Sequence, residues 1–90
     1  MFHNLFLTAD KMFENLGFKK DHENQYGCSY SRKNLEFSYT QRIEIGHKSS
    51  GNHLVHSYEK GTNNVVGLEY DEMKAIMKKY KELKRKYRWK

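Results

Sequence analysis

Ninety residues with a single cysteine and 14% aromatic side chains bound one domain, residues 1–90, able to bury one core without metals or disulfides. Cys28 alone excludes an internal disulfide and a thiol-rich metal centre, and it fits a reducing cytoplasm better than secretion. The net charge of +6 is carried by one segment: from Lys74 to Lys90 nine Lys or Arg face one acid, Glu82, whereas residues 1–73 are slightly acidic, an asymmetry that points to an anionic partner or a basic tail.

In chain order, Met1 to Leu7 lacks a basic leader and its apolar run stops early, so no secretory signal is expected. Thr8 is a good N-cap, with Leu7 and Met12 placed as a hydrophobic staple around it. Met12, Phe13 and Leu16 recur on one helical face. Gly17 then fits a left-handed stop, with Phe18 folding back on Phe13. Phe2, Leu5, Phe6 and Ala9 keep the same period, so an earlier start is the alternative.

Lys19 to Asn24 is polar throughout and reads as a loop. Tyr26, Cys28 and Tyr30 then alternate with small residues, the pattern of a strand with one buried face. A turn is expected at Lys33-Asn34. From Leu35 to Ile45 a longer alternation predicts one bent strand, or two with a break near Gln41, ending by Gly46. Ser49 to Asn52 is a turn cluster, His53 to Tyr58 a returning strand, and Val65-Val66 a short edge strand. From about Glu69 the period returns to 3.6, with Met73, Ile76, Met77, Tyr80, Leu83 and Tyr87 as the apolar stripe. The predicted fold class is α+β: a short N-terminal helix, a three- to four-stranded antiparallel meander, and a long basic C-terminal helix.

The layout and two segments, Leu7 to Phe18 and Asp71 to Ile76, resemble small proteins carried by phages and mobile elements of Gram-positive bacteria. That resemblance implies a bacterial cytoplasmic setting and a role in phage–host biology. It assigns no site residues.

Chemistry concentrates on the last helix. Lys74, Lys78, Lys81, Arg85 and Arg88 fall at i, i+4, i+7, i+11 and i+14, one ridge beside the apolar stripe. Such a ridge suits a phosphate backbone, contacted without sequence preference and sensitive to salt. Lys79, Lys86 and Lys90 are expected on the opposite flank, and Trp89 on the polar side, free to stack on a base. Solvation and complementation of the helix dipole are the plainer use of the same charges. A membrane surface is disfavoured because the sheet needs the apolar stripe.

The other candidates are weaker. His47 and His53 flank a turn and could face each other, yet His56 should point away and no carboxylate has ligand spacing, so neither metal nor cofactor is assigned. Cys28 is expected in the core without a base beside it. The carboxylates Glu36, Glu44, Glu59, Glu69, Asp71 and Glu72 are expected on exposed faces or at a helix N-terminus, forming no acid/base pair. The function expected is therefore non-enzymatic binding, with nucleic acid as the first partner. The alternative is a protein–protein module that binds an acidic host protein or forms a homodimer through its sheet face or an edge strand.

Overall fold

Thr8 does cap the first helix: its side-chain oxygen accepts from the Lys11 N–H at 3.1 Å, and α1 runs Ala9–Asn15. These elements come from a computed structural model that describes residues 7–48 and 51–90. The earlier helix start drawn from Phe2, Leu5 and Phe6 lies outside them, as do Ser49 and Ser50 of the turn cluster. At the far end of α1, Gly17 donates to the Glu14 carbonyl and Phe18 to the Phe13 carbonyl, both at 2.9 Å, with Gly17 at φ +91°. This is the pair of bonds that closes a helix through a left-handed residue. It seats Phe18 edge-on against Phe13 with ring centroids 5.6 Å apart.

Four antiparallel strands follow in the order β1-β2-β3-β4: β1 Lys19–Asn24, β2 Gly27–Asn34, β3 Tyr39–His47 and β4 His53–Glu59. The long helix α2, Tyr70–Tyr87, closes the chain. The layout is the α+β one expected from the sequence, with four strands.

Several boundaries differ from the sequence reading. Lys19–Asn24 is a strand, not a loop; it contains no apolar residue, so neither period could reveal it. Tyr26 lies in the two-residue hairpin between β1 and β2 and is exposed, while Cys28 and Tyr30 do point inward. The turn expected at Lys33-Asn34 falls at 35–38 instead, where Asn34 Oδ1 accepts from the Phe37 N–H at 3.1 Å and Ser38 takes φ 57°. Leu35 and Phe37 are therefore exposed turn residues rather than core. β3 is one strand without a break at Gln41. Val65 makes a single bridge to Tyr58, less than a strand.

Both helices share one core with the sheet. Phe13 stacks on Tyr30 at 3.8 Å between centroids, and Phe18, Cys28, Ile43, Ile45, Ala75, Ile76, Leu83 and Trp89 complete the cluster. Glu69 and Glu72 form a reciprocal capping box at the start of α2. The helix, however, is rotated by about one position from the expected stripe. Glu72, Ala75, Ile76, Lys79 and Leu83 face inward, whereas Met73 and Met77 are 48% and 53% exposed.

Candidate functional site

The rotation of α2 follows from where its inward charges find partners. Glu72, expected on an exposed face or at a helix N-terminus, lies in the first turn of α2 and is buried. Its carboxylate accepts from Arg32 Nη2 at 2.6 Å and from Gln41 Nε2 at 3.4 Å, and also from the Glu69 N–H. Lys79, expected on the flank opposite the ridge, is buried too and donates to Glu23 at 2.6 Å and Asp10 at 3.0 Å. Buried charges persist where such pairs are well formed.

Glu23 gathers the C-terminal half of α2 onto β1. Besides Lys79 it accepts from Lys86 Nζ at 2.9 Å and from the Tyr87 hydroxyl at 2.8 Å. Burial works against its charge, but the hydrogen bonds from Lys79, Lys86 and Tyr87 outweigh it and hold the carboxyl far below the ordinary carboxylate range. Asp10 behaves likewise. Burial opposes ionisation, yet bonds from Lys20, Tyr30 and Lys79 lower its pKa to about 2. The lone acid of the basic segment, Glu82, turns toward α1 and accepts from the Ala9 N–H at 3.0 Å. In that place it caps α1 rather than neutralising the ridge.

What remains of the basic segment faces outward. Lys74, Lys81 and Arg85 are exposed and Lys78 is half-buried. Among the described residues none of these four, nor Lys84, Arg88 or Lys90, is within ion-pair distance of a carboxylate. From Lys74 to Arg85 the row is about 16 Å long at 1.5 Å per residue. Lys74 Nζ also lies 5.4 Å from the centre of the exposed Tyr70 ring.

Two of the expected site residues do not join this row. Arg88 is the left-handed C-cap, φ 55°, so the helical spacing ends before it and the chain turns away. Trp89 is not a stacking platform. It is only 7% exposed, its indole N–H donates to the Gln25 carbonyl at 2.8 Å, and its ring lies against His47 and His53 at 5.2 and 5.3 Å. The left-handed cap at Arg88 folds the chain end back onto the sheet, with the Trp89 N–H bonded to the Lys84 carbonyl.

His47 and His53 do face each other across β3 and β4, with ring centroids 5.0 Å apart. His53 Nδ1 is bonded to the Tyr80 hydroxyl, and the pair is roofed by Trp89. His56 lies on the other face, stacked on Tyr58. Among the described residues no group of three or more His, Cys, Asp or Glu is arranged around a common point that could hold a metal ion. Cys28 is buried, and burial pushes its thiol up to about 11, away from the thiolate that nucleophilic chemistry uses.

Among the described residues, no helix is long and apolar enough to cross a membrane. Comparison of the chain with protein-family models, with curated proteins and with solved structures finds no match.

The sequence missed Glu23 and Asp10 because their partners lie 56 and 69 residues away, beyond any local pattern. An acid in an otherwise basic or polar edge segment was the one available sign.

Proposed function

We propose that this protein is a non-enzymatic binding protein whose outer α2 face meets an anionic partner, nucleic acid first among them. The observation that carries the reading is the sorting of charge on α2. The inward lysines are matched by Glu23 and Asp10, while Lys74, Lys78, Lys81 and Arg85 form an outward row with no carboxylate partner among the described residues. A row of this kind suits a phosphate backbone and carries no base-reading code. The phage or mobile-element setting implied by the sequence resemblance is part of the same proposal.

Trp89 is shielded from that face, so binding is best followed by anisotropy of labelled single-stranded DNA, duplex DNA and RNA. Four phosphate contacts on duplex predict that log K falls with log salt at a slope of about −3.6. The triple variant Lys78→Glu, Lys81→Glu, Arg85→Glu should lose binding across all sequences. Its thermal unfolding should change little, because none of the three side chains has an ion-pair partner to lose. No binding at low salt, or equal binding by the variant, would overturn the nucleic-acid reading and favour an acidic protein surface as the partner.

A further inference from the structure

The outer surface of α2 is not uniformly basic. Tyr70, Met73 and Met77 are exposed, and together with Met12 of α1 and Lys74, Lys78 and Lys81 they line one open groove of about 490 Å³. Lysines and apolar side chains therefore share a single surface. Helical spacing produces the mixture. Tyr70, Met73 and Met77 follow at i, i+3 and i+7, while Lys74, Lys78 and Lys81 follow at i+4, i+8 and i+11 as a second row beside them.

Charge narrows the class of molecule that fits this groove. Among the described residues, Lys74, Lys78 and Lys81 have no carboxylate within ion-pair distance, so a negatively charged occupant is the complementary one. The apolar side chains narrow it further. A duplex offers phosphates but keeps its base faces stacked inside, and it would leave Tyr70, Met73 and Met77 uncovered. A single strand offers phosphates and unpaired base faces together.

The two ends of the groove differ in charge. Tyr70 is 73% exposed and stands between the exposed acids Glu69 and Asp71, which repel a phosphate and leave the ring to an uncharged face. Lys74 Nζ, 5.4 Å from the ring centre, already marks that ring as a cation-accepting π surface. Toward the other end, the acid next to Lys81 is Glu82, and it is turned to α1, where it accepts from the Ala9 N–H. Phosphates are thus favoured at Lys78 and Lys81 and a base at Tyr70. Between them, Met73 and Met77 carry unbranched thioethers, which adapt to irregular shapes and contact aromatic rings favourably through sulfur.

We infer that this groove takes single-stranded nucleic acid, with one base stacked on Tyr70, the next against Met73 and Met77, and the phosphates on Lys74, Lys78 and Lys81. The inference rests on the nucleic-acid reading above and narrows it to unpaired strands. The stacking role expected of Trp89 passes to Tyr70, because the Trp89 indole is tied to the Gln25 carbonyl and buried. An acidic amphipathic helix also carries charge and apolar surface, but such a helix is held by anchors sunk into a hydrophobic groove. Here the apolar side chains themselves stand out from the surface, an arrangement that suits stacking on their faces.

Fluorescence anisotropy with labelled ligands of equal length tests this: an oligothymidylate, an oligouridylate, an abasic strand with the same phosphates, and a duplex. The better of the two base-bearing strands should bind about tenfold or more tighter than the abasic strand, the contribution of roughly one base–aromatic stack. Which of the two it is tells DNA from RNA. Tyr70→Ala should remove about that factor for the base-bearing strand and leave the abasic strand unchanged, and Tyr70→Phe should keep it. Because the side chain is exposed, both variants should melt with the parent. Equal binding of base-bearing and abasic strands, tighter binding of the duplex, or a Tyr70→Ala protein that keeps the preference overturns the single-strand groove and leaves the phosphate reading standing. Binding to none of the four at low salt overturns both, and an acidic amphipathic peptide that binds in their place would assign the groove to a protein partner.

Discussion

At the scale of single residues, Glu23 is the side chain on which most long-range charge converges. It receives Lys79, Lys86 and Tyr87 from α2 and Lys20 from its own strand. Lys79 has a second partner in Asp10. Removing one partner of a buried pair leaves the other charge desolvated, and the cost is about 3–5 kcal/mol. Glu23→Ala should therefore lower stability by about 3 kcal/mol or more in urea melts, with Asp10 softening the loss. Pairing Glu23→Ala with Lys79→Met should recover much of it, because the uncompensated ammonium is gone. A Glu23→Ala protein as stable as the parent would show that the Lys79 charge is solvated.

At the scale of elements, the same carboxylates tie β1 and α1 to α2, and they make that attachment dependent on pH. The folded pKa of Asp10 is depressed to about 2, and that of Glu23 is depressed as well. Each therefore contributes stability that is fully present above the ordinary carboxylate range, about 4. That stability is lost as pH falls from there through the folded values. Thermal midpoints should hold from neutral pH to about pH 5 and then drop toward pH 2. Asp10→Asn should flatten part of that fall; an unchanged acid limb in this variant would exclude the carboxylate as its source. The β1–β2 hairpin depends on backbone shape instead. Gly27 sits at φ +142°, and a Cβ there would fall on the Ile45 carbonyl oxygen. Gly27→Ala should cost several kcal/mol, about 2–4, by strain and clash together, measurable in the same melts.

At the scale of the whole molecule, the charges of α2 are sorted by face: Lys79 meets Glu23 and Asp10 inside, while Lys74, Lys78 and Lys81 line one outer groove with Met73 and Met77. The outward row of α2 is the surface proposed to meet an anionic partner. Much of this arrangement was legible in the chain. Thr8 and Gly17-Phe18 bounded α1 because capping is local chemistry within a few residues. The alternation that carries Cys28, Tyr30, Ile43 and Ile45 marked strands because a half-buried strand repeats every two residues, but it did not fix which sheet face is wet. The outward row Lys74, Lys78, Lys81 and Arg85 followed from the 3.6 period. β1 was hidden because it has no apolar residue to set a period. The rotation of α2 was hidden because it depends on Arg32, Gln41, Glu23 and Asp10, four residues far away in sequence.

The sequence by itself thus determined the elements whose causes are local: caps, alternation, helical period and the gathering of basic charge in one segment. Tertiary structure decided which charges remain available and which aromatic side chains are wet. Lys79 and Glu72 are inward because partners on other elements meet them there. Trp89 is buried because the left-handed Arg88 returns the chain to the histidine pair at the sheet's end. The physical reason is one of range. Capping and periodicity act over a few residues, whereas a desolvated charge or an indole N–H is satisfied by whatever group the fold brings to within about 3 Å.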